Sequence, residues 1–552
     1  MLSIFLTPDK KLKNYIVSIL ILCAAAAQAQ TTPDADTILD AAEQSMGMSA
    51  IANLPSYLVT ATVSGTDTGY QLDPTRDQWI SRVDTGSGYF ETAIHERGQL
   101  QSVGVDSQGS WYGSVNGDTS RTAGNWLLLN SFMFSGAGIP ASTRLSADYH
   151  WARTEPCGNT QCDVLVTKGH QSSGSEVWFR RDNHLPDRAQ VPSTKAGEWN
   201  YRLTFIDWVK VGDVLLPQHQ ITEFNDVEAH ASNTYEILPL QSVSSWKIPT
   251  APVNWRIVDG ADHATIAFRL VEDRIVLRAS FNGQPEQELI FDTGADFILD
   301  KSALNRLHIA SEPWWHISGM GSGTEKSGIT PPLDLRLGTL ELTQRRALTT
   351  SMSDLVARNP EKIPDFAGMI GTELMTRFVV HIDFDRNEMT LYPRDSYHYK
   401  GNAQPLPAKV MGGRFVVATQ LEGDKANLLL DTGTSMNMVL SAPYVRSHNL
   451  FNRLRCTRER PIGSGFGGWI FGRRASIETL SIAGVTVPTF GADLTSMRKG
   501  MLASEATDGV LGLGVLRRFN LTLDLNNNTV YMEPNSHMRD ADTSPVHMNE
   551  LL

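Results

Sequence analysis

At 552 residues the chain is several times longer than one hydrophobic core usually serves, so two to four domains are expected. Apolar residues make up 41% and charged residues 20%, and with twelve tryptophans this is a globular composition that excludes disordered and fibrous classes. A formal net charge of −12 sets the surface against nucleic acid and anionic lipid.

Residues 1–29 have the form of a secretory signal. Lys10, Lys11 and Lys13 precede an apolar run from Tyr15 to Ala27, and Ala27-Gln28-Ala29 is a small-x-small cleavage pattern. The run is shorter than the roughly 20 residues a spanning helix needs. A lipid anchor on Cys23 is disfavoured, because Leu20-Ile21-Leu22 lacks the small residue expected before such a cysteine. Cleavage would remove Asp9 and three lysines, taking the formal charge from −12 to −14. The protein is therefore expected to be exported, periplasmic or secreted, with no membrane span in the mature chain.

An amphipathic helix opens the mature chain, with Ile38, Leu39, Ala42 and Met46 on one face of Asp36 to Met46 and Gly47 ending it. From Tyr57 to about Trp246 the chain reads as antiparallel sheet. Short alternating runs such as Tyr57-Leu58-Val59-Thr60-Ala61-Thr62-Val63 and Glu176-Val177-Trp178-Phe179 are separated by Gly, Asn, Asp and Ser. Eight of the tryptophans lie here, as core or as an aromatic-lined binding face. Cys157 and Cys162 flank a turn-like Gly-Asn-Thr-Gln and are a candidate disulfide; Cys456 is left over as an expected buried thiol. The helix, the strands and the stretch from Glu176-Val177-Trp178-Phe179-Arg180-Arg181 through Leu185-Pro186 to Val214-Leu215-Leu216-Pro217 resemble the envelope lipoprotein-carrier type of half-barrel.

Pro249 and Pro252 mark a linker, and beyond residue 265 the sequence repeats. Glu288-Leu289-Ile290-Phe291-Asp292-Thr293-Gly294-Ala295-Asp296 is matched, 139 residues on, by Asn427-Leu428-Leu429-Leu430-Asp431-Thr432-Gly433-Thr434-Ser435. Gly368-Met369-Ile370-Gly371 is matched by Gly509-Val510-Leu511-Gly512, and Val380-His381-Ile382-Asp383 by Leu521-Thr522-Leu523-Asp524, at an offset of 141. One Asp-Thr-Gly arises by chance in on the order of a tenth of chains this long. Two in matched contexts do not.

Residues 266 to 535 resemble two tandem retropepsin-type lobes joined as in pepsin-like aspartic peptidases. The resemblance implies a catalytic dyad of Asp292 and Asp431. It implies that Thr293 and Thr432 lock the loops together, that Gly294 and Gly433 permit their tight turns, and that Gly371 and Gly512 thread beneath them. The glycine-rich stretches Gly319, Gly321, Gly323 and Gly465, Gly467, Gly468 are candidate flaps, although the flap tyrosine of pepsin-like enzymes is missing. Independently of resemblance, two carboxyls at one point supply the general base and the acid that amide hydrolysis needs, because one keeps a proton the other gives up. No metal or organic cofactor is called for. Gly463-Ser464-Gly465-Phe466-Gly467-Gly468 also fits a dinucleotide fingerprint but lacks its following helix.

The expected fold is mainly β: a β-rich domain over 30–247, a linker over 248–265, lobes over 266–393 and 410–535 joined by 394–409, and a polar tail over 536–552. The expected activity is that of an exported aspartic endopeptidase acting on polypeptide, monomeric with its lobes paired within one chain. The rival readings are an inactive peptidase-fold binding protein and a lipid- or lipoprotein-binding envelope protein acting through the amino-terminal domain.

Overall fold

The computed structural model describes residues 33–542 except 68–69, 76, 85–88, 97–98, 107–108, 122–147, 169–175, 193–198, 225–226, 241–248, 250–251 and 353–364. The expected signal lies outside the described residues, as do parts of the linker and tail. The fold is mainly β. No described helix is long and apolar enough to cross a membrane.

Helix α1 (Ala35–Ser45) and the one-turn α2 (Ser49–Ala52) lead into an open antiparallel sheet. Its first long strand, Ser56–Asp67, lies at the centre beside the last, Val227–Leu240, and the other strands fan out to the edges Thr119–Arg121 and Asp148–Cys157. Ala35, Leu39, Ala42 and Met46 of the helical segment pack with Val59, Phe90, Leu165, Leu203 and Leu216 of the sheet in one core. Gly47, at φ 69°, ends the helix where a Cβ would lie 2.0 Å from the Asp213 carbonyl oxygen, so glycine is required by both conformation and space. Trp79, Trp111 and Trp178 are buried, and Trp151 and Trp208 pack half-buried against the core shared by helix and sheet. Cys157 and Cys162 form a disulfide across a hairpin turn, and Cys456 is buried, its thiol donating to the Leu454 carbonyl.

The two repeats build the same local topology. In the first, Gln287–Phe291 runs parallel to Phe366–Ile370, and Ile298–Asp300 lies on the other side of that strand, antiparallel to it. In the second, Asp424–Asp431, Gly509–Gly512 and Met438–Leu440 repeat the arrangement. Strands covered on both faces need continuous apolar runs rather than alternation, which is why Leu289-Ile290-Phe291 and Leu428-Leu429-Leu430 precede the motifs. Two short helices recur in step, α3 (Lys301–Arg306) and α4 (Thr372–Met375) of lobe 1 with α5 (Ala442–Ser447) and α7 (Leu513–Leu516) of lobe 2, and α6 (Leu450–Arg453) of lobe 2 is without a counterpart among the described residues of lobe 1. Asp300 caps α3 through Ser302 N at 2.8 Å, and Ser441 caps α5.

The lobes join through one sheet in which Phe378–Asp383 pairs antiparallel with Phe519–Asp524. His381 faces Thr522, its own repeat equivalent, and their side chains meet at 2.9 Å. A pseudo-two-fold axis therefore passes between these residues.

Three boundaries differ from the sequence reading. Trp255–Ile257, expected within the linker, pairs with Leu340–Arg345, and Trp255 packs edge-on against Phe378, because the apolar Trp255 and Ile257 alternate as an edge strand requires. Leu406–Met411, which begins inside the expected 394–409 connection, is a strand paired with Thr529–Pro534 and with Arg414–Leu421. The tail is held as far as Asp542, which accepts from Asn437 Nδ2 and from Gly491 N at 2.7 Å.

Candidate active site

The two Asp-Thr-Gly loops meet at the ends of their strands. Thr293 Oγ1 donates to the Leu430 carbonyl at 2.7 Å and accepts from Thr432 N at 3.0 Å. Thr432 Oγ1 donates to the Phe291 carbonyl at 2.9 Å and accepts from Thr293 N at 3.0 Å. Both threonines are buried, so these four bonds tie the lobes together in a closed, two-fold pattern. The glycines are equally constrained. A Cβ on Gly433 would lie 2.0 Å from Asp292 Oδ2, and one on Gly294 would lie 2.8 Å from Asp431 Cγ, so each carboxyl rests against the other loop's glycine. Gly371 and Gly512 pass close under the loops, where a Cβ would meet the Asp292 and Met436 carbonyl oxygens at 1.7 and 2.0 Å.

The carboxyls are not equivalent. Asp292 accepts from Gly294 N at 2.8 Å. Asp431 accepts from Gly433 N at 2.9 Å, Thr434 N at 3.1 Å and Thr434 Oγ1 at 2.9 Å. Lobe 1 has Ala295 where lobe 2 has Thr434, which removes the side-chain donor. Burial, and after it the neighbouring Asp431 carboxyl, hold Asp292 well above the usual carboxylate range.

Arg414 of lobe 2 donates from Nε to the Gly294 carbonyl at 2.7 Å and from Nη2 to Asp296 at 2.9 Å, while Thr372 Oγ1 donates to the same Asp296 oxygen at 2.9 Å. Arg414 and Thr434 were not singled out from sequence. An arginine reaching a loop 120 residues away leaves no local signal, whereas the Ala295/Thr434 difference stands in the repeat itself.

The glycine-rich stretches meet each other. Gly321 N donates to the Phe466 carbonyl at 3.0 Å and Gly323 N to the Gly467 carbonyl at 2.9 Å. Gly467 and Gly468, at φ 88° and 107°, turn the hairpin formed by Arg460–Gly465 and Gly468–Ile477, which is a strand pair rather than a strand–helix nucleotide loop. The tips cross over. Met320 of lobe 1 packs against the lobe 2 cluster of Val416, Leu429, Val439, Ile470 and Val510, its sulfur 3.9 Å from Thr434 Oγ1. Phe466 of lobe 2 packs with Ile290, Ala295 and Met369 of lobe 1.

No protein-family model matches the chain, and no curated protein matches it. Among solved structures, similarity extends to a LolA-superfamily protein from Nitrosomonas europaea at 15% identity, covering 38% of this chain and 95% of that one with a TM-score of 0.27. A lipoprotein-sorting protein domain from Vibrio parahaemolyticus, described as outer-membrane, is similar at 8% identity over 37% of this chain and 93% of its own, with a TM-score of 0.22. A retropepsin-like aspartic protease from Rickettsia conorii is similar at 16% identity over 25% of this chain and 97% of its own, with a TM-score of 0.18. At these scores none of them carries an argument about this chain.

Proposed function

We propose that this protein is an exported aspartic endopeptidase whose dyad is Asp292 and Asp431. The observation that carries the reading is the reciprocal threonine lock, which brings two carboxyls from separate lobes against each other's loop glycines. Three donors serve the Asp431 carboxyl, while burial and the neighbouring Asp431 raise the proton affinity of Asp292, so the pair can offer one base and one acid. Asp431 takes a proton from water as the water oxygen attacks the amide carbon, and Asp292 gives its proton to the carbonyl oxygen. The resulting gem-diol returns a proton to Asp292 while Asp431 passes its proton to the leaving nitrogen, and the carbon–nitrogen bond breaks. Glycine-rich hairpins over the loops suit an extended polypeptide, which such hairpins can hold by main-chain hydrogen bonds once they part.

The test is cleavage of an unfolded protein by the wild type, Asp292→Asn and Asp431→Asn between about pH 3 and pH 8. Loss in both variants supports the dyad, and unchanged cleavage in both sinks it. A second reading makes the chain a lipid- or lipoprotein-binding envelope protein. What favours it is the amino-terminal architecture, one long open antiparallel sheet with a helix seated on it. Lipid co-purifying with a chain that cleaves nothing would give that reading precedence.

A further inference from the structure

The amino-terminal sheet touches lobe 1 through the turn at Ser114 to Asp118, between Gly109–Gly113 and Thr119–Arg121. Asn116 spends its whole amide on lobe 1. Its Nδ2 donates to the Arg346 carbonyl at 2.9 Å and to Glu373 Oε2 at 3.1 Å, and its Oδ1 accepts from Arg346 N at 2.9 Å. Asp118 accepts from Arg345 Nη2 at 2.9 Å and pairs with Arg377. Glu373 completes the cluster by accepting from Arg345 Nε at 2.6 Å and Arg377 Nη1 at 2.9 Å. Two guanidinium and two carboxyl side chains, all four 5% exposed or less, thus bridge the domains, and burial pushes both carboxyls up to about 7. A buried cluster of this kind fixes geometry, because breaking any one pair strands a charge away from water.

The cluster lies one residue from the catalytic loop's support. Glu373 sits in α4 beside Thr372, whose N donates to the Ala295 carbonyl at 3.0 Å and whose Oγ1 holds Asp296. Gly371, before it, lies under Asp292. The same sheet edge brings Tyr112 close enough that Asp296 and Arg414 both act on its phenol. The repeat supplies an internal comparison. Arg518 is the equivalent of Arg377, and each reaches back to its own short helix, Arg518 to the Gly514 carbonyl and Arg377 to the Glu373 carbonyl. Beyond the helix, Arg518 turns to the Met538 carbonyl of the carboxyl-terminal tail, and Arg377 turns to Asp118. At the matched place each lobe is buttressed by a segment from outside its repeat.

We propose that Asn116 and Asp118 are positioning residues of the peptidase, so that the amino-terminal sheet is a built-in support that sets the Asp292 loop through Glu373 and Thr372. The inference rests on the dyad reading above. It assigns the amino-terminal domain to the chemistry of lobe 1.

The test uses the full chain. Asn116→Ala should lower kcat about 10- to 100-fold, the usual result of a small displacement of a reacting group, with KM nearly unchanged. Hydrogen exchange over residues 289–296 should quicken. Asn116→Asp should be worse, since it sets a second carboxyl against Glu373. Asn116→Asp combined with Glu373→Gln restores both the hydrogen bond and the net charge, and should recover turnover. Wild-type kcat and exchange in Asn116→Ala would overturn the proposal, as would a double variant no better than Asn116→Asp alone. If the wild type itself cleaves nothing, the dyad reading fails separately and exchange decides: quickening over 289–296 supports positioning, and unchanged exchange overturns it.

Discussion

Thr293→Val and Thr432→Val probe whether the two motifs form one device. Valine keeps the volume and removes the hydroxyl, so no cavity complicates the result. Each substitution deletes one donated and one accepted bond, 2.7 and 3.0 Å for Thr293, 2.9 and 3.0 Å for Thr432, at sites 1% and 0% exposed. The stranded partners cost about 1–3 kcal/mol each, so either change should weaken the junction by about 2–6 kcal/mol. At about 1.4 kcal/mol per decade, exchange of the 289–294 and 428–434 amides should speed roughly 30- to 20,000-fold. Because both threonines hold the same two loops, the second removal should cost less than the first, with an interaction energy of about 0.5–3 kcal/mol. Exchange mass spectrometry with urea unfolding measures the single and double variants, and peptide cleavage should fall with them. A silent Thr432→Val, or strict additivity, would mean that the loops are independent turns and would refute the reasoning.

Other outcomes follow from the same geometry. Asp292 is held above the ordinary carboxylate range, so it keeps the needed proton in acid and loses it as pH rises; turnover should be greatest in acid and fall toward alkaline pH. The linked stability has the same sign: it is fully present below the unfolded carboxyl value of about 3.9 and is lost as pH rises through the higher folded value. Wild type should therefore lose stability relative to Asp292→Asn over that rise, and parallel urea midpoints would contradict this. Gly433→Ala places a Cβ 2.0 Å from Asp292 Oδ2 and should abolish cleavage while circular dichroism stays native. Above about pH 7, the value to which burial pushes Asp118 up, Asp118→Asn leaves Arg345 and Arg377 short of an anion and should cost about 3–5 kcal/mol in denaturant unfolding, with a smaller cost in acid. Phe466→Ala removes the flap's hold on Ile290 and Ala295 and should raise KM more than it lowers kcat.

The repeat made the centre of the protein legible. Two apolar runs each ending in Asp-Thr-Gly identify buried strands and the loops after them, because the parallel strand pairing that buries both faces demands just such runs. The leading helix was legible from its apolar face and from Gly47, which the structure holds against Asp213. Proline misled at the linker: Pro249 and Pro252 suggested chain outside any domain, whereas Trp255 and Ile257 had already begun the edge of lobe 1. Contacts made by single polar side chains across long separations stayed hidden. Asn116 meets Arg346 230 residues away, and no periodicity marks such a pair.

The proposed dyad poses a problem that duplication alone does not solve. A symmetric pair of loops gives two carboxyls the same surroundings, yet hydrolysis needs one to give a proton and the other to accept it. Here the symmetry is kept where geometry matters, in the threonine lock, the loop glycines and the His381–Thr522 pairing across the axis. It is broken where proton affinity matters. Thr434 adds donors to Asp431 that Ala295 does not add to Asp292. The outer supports differ as well, a separate domain behind Asp292 and the chain's own tail behind Asp431. Substitutions that restore symmetry are then the most informative. Ala295→Thr would offer Asp292 the donor it lacks, favour its ionised form, and so lower the pH at which turnover is lost; a profile unmoved by Ala295→Thr would show that the asymmetry of the dyad lies elsewhere.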